Sequence, residues 1–116
     1  MKNVMQTISN DSTQSPPTPS LSIDYQPTTA LQAYPRNART HSKRQIRQIA
    51  DSIATFGFTN PILIDKGNTI VAGHGRLRAA QLLGIDQVPT IRLETLSEDQ
   101  ILAYILADNK LAENAG

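Results

Sequence analysis

The chain has no cysteine and no tryptophan, and only 4% of its 116 residues are aromatic. The first absence excludes disulfides, thiolate metal sites and cysteine nucleophiles. The scarcity of rings excludes an aromatic-rich sheet face on which nucleic-acid bases could stack. An excess of one charge is also missing. Lys and Arg number 11 against 10 Asp and Glu, a net charge of +1, which gives no global electrostatic case for nucleic acid or a membrane surface. No apolar run approaches the roughly 18 residues of a membrane span, and the start of the chain lacks the apolar core of a secretion signal. The expectation is one soluble, cytoplasmic domain with a thin core, to which a ligand or partner can add stability.

What is present divides the chain in two. Residues 1–20 are rich in Ser, Thr, Gln, Asn and Pro, including Ser15-Pro16-Pro17-Thr18-Pro19. Such a segment has too little apolar surface to offset its ordering entropy, so a disordered polar tail is expected there and a folded domain over 21–116. Leu21 to Tyr25 alternates and reads as a short strand, followed by an irregular connection marked by Pro27 and Pro35. Ser42 and Gln45 form a capping box ahead of Ile46, Ile49, Ala50 and Ile53, whose spacing predicts a helix that Gly57 stops. His41, just ahead of that cap, is expected to face water. Pro61 to Asp65, the turn Lys66-Gly67-Asn68 and Thr69 to Ala72 read as a hairpin. A second helix follows, with Leu77, Ala80 and Leu83 as its buried face and Gly84 as its end. Val88 to Leu93 is a strand that Pro89 assigns to an edge or to the strand's first residues. Ser97 and Gln100 make a second capping box, with Glu98 and Asp99 where the helix dipole favours acids and Ile101, Leu102, Ile105 and Leu106 as the apolar face. The order strand, helix, hairpin, helix, strand, helix describes an α+β fold: a small mixed sheet with packed helices.

The most informative stretch is Gly73-His74-Gly75-Arg76-Leu77-Arg78-Ala79-Ala80, where strand turns into helix. Two glycines let the backbone approach a ligand, and a helix start presents unpaired N–H groups with partial positive charge. The loop Gly73 to Gly75 is expected to open the helix. Arg76 and Arg78 in its first turn oppose the helix dipole. A bound phosphate removes that conflict, and guanidinium forks suit phosphate oxygens. The alternative is an ordinary strand–helix turn with two surface arginines. Neither the Rossmann fingerprint nor the P-loop pattern is present.

Four pieces occur in order: Asn37-Ala38-Arg39, Ile49-Ala50-Asp51-Ser52-Ile53 leading to Gly57, Pro61-Ile62-Leu63-Ile64, and Gly73 to Ala80. Together they resemble the ParB/sulfiredoxin-like domain, also labelled ParB-like nuclease, over about Ser22 to Asn109. In ParB proteins the last piece resembles Gly-Glu-Arg-Arg-x-Arg-Ala and holds the triphosphate of CTP. Gly73, Arg76, Arg78 and Ala79 agree with it, while His74 stands in place of Glu and Gly75 in place of the first Arg. The resemblance implies a nucleoside triphosphate, CTP by preference, with Mg²⁺. Gly73, His74, Gly75, Arg76 and Arg78 would bind its phosphates, with Arg39, Thr59 and Asn60 facing the same pocket. Asp108-Asn109 lies where ParB uses a Glu-Asn pair near metal and phosphates, so both are candidate metal contacts. The competing reading is a helix C-cap Asn beside a solvated Asp. Sulfiredoxin, the enzymatic relative, needs a cysteine where this chain has His74, so that chemistry is excluded.

Within the family, Gly73-His74-Gly75-Arg76 with Leu106 to Ala112 is most similar to the ParB-like domain at the N-terminus of bacterial and phage DNA modification methylases. These 116 residues hold no methylase cofactor loop, no Pro-Pro-Tyr type motif and no partition-type helix-turn-helix. A stand-alone module or the front part of something longer is expected. The implied role is nucleotide binding in a DNA-associated system: DNA modification, or plasmid, phage or chromosome partition. The implied partners are DNA or a DNA-acting protein such as a methylase domain, not a membrane, and a homodimer is compatible. One alternative is a non-specific DNA-contacting or protein-docking domain with a vestigial pocket, resting on Arg36, Arg39, Lys43, Arg44 and Arg47. Another is a metal-dependent nuclease, which wants converging carboxylates; the acids here are scattered, with no H-x-H or D-x-D cluster. No catalytic residue is assigned, and no enzyme is expected of the chain by itself beyond weak nucleoside triphosphatase activity.

Overall fold

Among the described residues, four short strands, none able to bury both faces alone, set the architecture. The computed structural model describes residues 21–34 and 41–115, the side chains of Asn109 and of 111–115 excepted. In chain order the elements are β1 (Ile23–Pro27), α1 (Lys43–Phe56), β2 (Ile62–Ile64), β3 (Ile70–Ala72), α2 (His74–Leu82), β4 (Gln87–Arg92) and α3 (Glu98–Ala115). A 3-10 turn, Thr28–Ala30, follows β1. The expected tail over 1–20, and Arg36 and Arg39, lie outside the described residues.

The strands form one mixed sheet in the order β1-β4-β2-β3. β1 runs antiparallel to β4, with Ile23 opposite Ile91 and Tyr25 opposite Pro89. β2 runs parallel to β4, from Ile62 opposite Thr90 to Ile64 opposite Arg92, and pairs with β3 as an antiparallel hairpin. Asp65 closes that hairpin, its Oδ1 accepting the N–H of Gly67 at 2.8 Å and of Thr69 at 2.9 Å. This is the Asx-turn chemistry for which aspartate suits turns.

Of the two places that Pro89 allowed, the structure takes the second: β4 is no edge strand, and Pro89 stands among its first residues. The strand has a neighbour on each side, and Pro89 within it is buried. The ring is tolerated because β2 pairs only with Thr90 to Arg92. Pro89 stands one residue before β4 gains its second neighbour, so its missing N–H breaks no bond to β2.

Both capping boxes form. Ser42 Oγ accepts the Gln45 N–H at 3.1 Å while Gln45 Oε1 accepts the Ser42 N–H at 3.0 Å; Ser97 and Gln100 do the same at 3.2 and 2.8 Å. Two helix boundaries differ from the sequence reading. α2 begins at His74 with Gly73 as its N-cap, so Gly75 is helical rather than part of a loop. α3 continues to Ala115, so Asn109 lies inside it and is no C-cap.

The core is built in layers. Ile62, Ile64, Ile70 and Val88 pack against Leu77 and Ala80 of α2, and α1 lies on α2 through Ile46, Ala50, Ile53 and Ala79. Alternation along β3 turns Val71 to the opposite face, where it meets Ile101 and Ile105 of α3. Each fully buried Ile or Val contributes on the order of 1.5–3 kcal/mol. Leu83, expected in the α2 core face, is exposed; Ala79 is buried instead because it is the residue that meets α1. Leu102 and Leu106 are exposed as well, since α3 packs chiefly along β3 and only Ile101 and Ile105 reach it.

Candidate functional site

β3 delivers the chain to Gly73, whose φ of 109° is a left-handed conformation available to glycine at little cost. No side chain caps the helix that starts there, so the amide groups of its first turn keep their hydrogen-bonding capacity. A cavity of about 420 Å³ opens at this junction, between α1, the segment before β2, and α3. That volume lies within the usual range of small-ligand sites.

Arg76 brings a guanidinium to the cavity. Its Nη1 donates to the Pro61 carbonyl at 3.3 Å, and the group packs so closely on Gly73 that a Cβ there would stand 2.6 Å from Nη1. Burial lowers the Arg76 pKa, while the charges of Asp108 and Tyr104 on α3 raise it. A guanidinium stays protonated under any of these influences. Among the described residues that line the cavity, Asp108 supplies the only carboxylate.

His74, the first residue of α2, is half-buried, and its Nε2 accepts the backbone N–H of Tyr34 at 3.3 Å. That bond places the proton of the neutral ring on Nδ1. Burial, and secondarily the charge of His41, hold the His74 pKa below its ordinary value.

Of the residues singled out from the sequence, Gly73, His74, Gly75, Arg76, Thr59, Asn60 and Asp108 line this one cavity. Arg78 does not join them; it is exposed on α2. Lys43, Arg44 and Arg47 are exposed on α1 and also outside the lining. Arg36, Arg39 and the Asn109 side chain lie outside what the structure describes. His41 corrects its assignment to solvent: it is half-buried and lines the cavity. Ser52 and Phe58 were also missed. A serine on the polar side of α1 carries no local signal that a cavity opens beside it. Among the described residues, no group of three or more His, Cys, Asp or Glu could hold a metal ion, so the converging carboxylates of a two-metal nuclease are not found there. No helix among them is long and apolar enough to cross a membrane.

Comparison with known proteins decides the family. The profile described as the ParB N-terminal domain matches residues 11–110. The chain belongs to the ParB N-terminal domain family. The ParB-like nuclease domain-containing protein YnaK of Escherichia coli is 50% identical over 80 residues, covering 69% of this chain and 92% of YnaK. Chromosome-partitioning protein ParB from Caulobacter crescentus, solved C-terminally truncated with CTP-γ-S, superimposes with a TM-score of 0.67 at 29% identity. That match covers 76% of this ParB-like chain and 52% of the Caulobacter one. The same Caulobacter protein complexed to the centromeric parS site matches with a TM-score of 0.63, also at 29% identity, covering 74% of this chain and 46% of that one. Sulfiredoxin from Arabidopsis thaliana shares the fold alone, at 20% identity and a TM-score of 0.59, over 73% of this chain and 97% of its own. The ParB/sulfiredoxin-like α+β fold expected from the sequence is therefore the fold of this domain.

Proposed function

We propose that this ParB-like domain binds a nucleoside triphosphate, CTP by preference, with the phosphates seated on the first turn of α2. The observation that carries the reading is the Gly73–Arg76 unit: a left-handed glycine, an uncapped helix start and a half-buried guanidinium at one cavity. Backbone amides and a bidentate cation at one helix start are the components of a phosphate site. The Caulobacter relative complexed with CTP-γ-S supports the choice of nucleotide. His74 and Gly75 belong to the same turn, Thr59 and Asn60 line the cavity from the segment before β2, and Arg39 and Asn109 remain candidates from the family resemblance. Mg²⁺ suits the donor set: it is commonly held through one or two carboxylates plus substrate phosphates, and Asp108 is the carboxylate present. When bound, the ion would neutralise part of the phosphate charge.

The setting we propose is a DNA-associated system, in which the domain serves a DNA-acting partner such as a methylase, or a partition complex. DNA itself would meet Lys43, Arg44 and Arg47, exposed together on α1. The parS complex of the Caulobacter relative supports a DNA-associated setting.

The test is calorimetric titration with CTP, ATP and GTP in the presence of Mg²⁺, alongside thermal unfolding. A ligand bound only by the folded state raises the melting temperature by mass action. CTP should raise it most, Arg76→Ala should remove the increase, and Arg78→Ala should leave most of it. Absence of heat with all three nucleotides at millimolar concentration would overturn the reading.

A further inference from the structure

We infer that His41 is a phosphate contact of this cavity and that, with His74, it makes nucleotide binding proton-linked, so that affinity rises as pH falls. The inference deepens the nucleotide reading and rests on it.

The geometry starts at Gly75. This residue is buried in the first turn of α2, and a Cβ there would stand 2.9 Å from His41 Nε2 and 3.1 Å from its Cδ2. The imidazole edge thus lies directly on the backbone of the turn proposed to hold phosphate. A glycine within a helix costs roughly 0.5–1 kcal/mol relative to alanine. Here alanine would have to push aside the His41 ring or the Ile49 Cδ1, also at 2.9 Å, which lie where its methyl group would stand. The glycine brings the ring of a residue 34 positions earlier onto the helix start.

His74 precedes Gly75 and lines the same cavity. With its Nε2 accepting from Tyr34, its other nitrogen is a donor. Among the described residues, the site therefore joins two imidazoles and one guanidinium against one carboxylate. The titratable groups around the pair come from three elements. The lead-in to α1 contributes His41, α2 contributes Arg76, and α3 contributes Asp108 with Tyr104, which act on Arg76. β3 and the segment before β2 contribute Val71, Ala72, Thr59 and Asn60, none of which titrates near neutrality.

Burial first, and the charge of His41 second, hold His74 towards its neutral form. A polyphosphate reverses that balance, because an opposite charge within about 4–6 Å favours protonation. Binding then takes up a proton onto the pair.

The test uses the full chain and Mg·CTP. Calorimetry at pH 6, 7 and 8 compares wild type with His41→Gln. NMR follows the ring resonances of the two histidines in the wild-type chain, with and without nucleotide. Wild-type affinity should be severalfold higher at pH 6 than at pH 8, below the limit of about tenfold that a histidine pKa raised by about one can give. His41→Gln should bind more weakly than wild type at pH 6 and keep a smaller pH slope, from His74 and from the nucleotide's own phosphate, which titrates at about pH 6. At least one histidine should titrate at higher pH when CTP is bound, a readout that stands even if the variant does not fold. Equal pH slopes in wild type and folded His41→Gln, or histidine titrations unmoved by bound nucleotide, overturn the inference and leave nucleotide binding intact. Absence of binding by every nucleotide overturns both.

Discussion

Arg76 and Gly73 occupy each other's space. The guanidinium lies where a side chain at position 73 would begin, and it bridges from there to the Pro61 carbonyl. Gly73→Ala must therefore move Arg76 or the backbone of Ile62, 3.3 Å from the added methyl, besides placing alanine at a φ of 109°. Gly84 has a comparable φ of 73° but open space around it. Gly84→Ala should cost about 1 kcal/mol from left-handed backbone alone, and Gly73→Ala at least about 2 kcal/mol. Urea denaturation of the two variants measures the difference; equal losses would show that the packing on Gly73 carries no energy.

The capping boxes can be removed singly. Ser42→Ala and Ser97→Ala each delete the hydroxyl that accepts the N–H of Gln45 or Gln100, and each should destabilise the domain by about 1 kcal/mol. The boxes cap different helices and share no partner, so the double variant should lose the sum within about 0.5 kcal/mol. Chemical denaturation checks this, and a double variant no weaker than either single one would contradict it.

Stability should depend on pH through His74. Its folded-state pKa is lowered, first by burial and then by the charge of His41, from an ordinary value of 6.5. Below about pH 6.5 the unfolded chain then binds more protons than the folded one, so stability falls as pH falls; above that pH the contribution is constant. Urea midpoints between pH 5.5 and 7.5, above the carboxylate range, should decline towards the acid end. His74→Gln should flatten the decline, and a wild-type midpoint that rises towards pH 5.5 would refute the account.

DNA binding by the chain alone should be weak and indifferent to sequence. Lys43, Arg44 and Arg47 are exposed, but α1 commits Ile46, Ala50 and Ile53 to the core. Contacts from these cations to phosphates fix position on a duplex but carry no sequence information. If each of the three cations meets one phosphate, the logarithm of affinity should fall with the logarithm of salt at a slope of about −3. Anisotropy titrations on a random duplex pool measure both properties. Enrichment of one sequence by about 100-fold at physiological salt would overturn the expectation.

The features legible in the sequence were those decided within a few residues. Ser42 with Gln45, Ser97 with Gln100 and the Lys66-Gly67-Asn68 turn each depend on neighbours along the chain, and each forms; the strand-to-helix junction was legible too, although the helix opens at His74 and not after Gly75. The features that escaped were decided across it. Pro89 left open an edge strand or a place among a strand's first residues; only the pairing partners decide, and β4 ends up central with Pro89 near its start. Arg76 and Arg78 look like a pair, but positions two apart on a helix point to different sides. Because α2 starts at His74, only Arg76 reaches the cavity. His41 gave no local signal at all; its role depends on the space that Gly75 leaves.

The pairing of β1 with β4 governs when the domain can form. The Thr90 hydroxyl donates to the Asp24 carbonyl at 2.7 Å across 66 residues of chain. During synthesis the first strand must therefore wait, unpaired, until the fourth leaves the ribosome. A contact of that sequence separation closes a long loop before its energy is recovered, which slows folding relative to a bundle of local helices. Nascent fragments that stop at α2 expose both β1 and the free side of β2. They are the species in this domain's life most open to capture by a chaperone or by another unfinished chain.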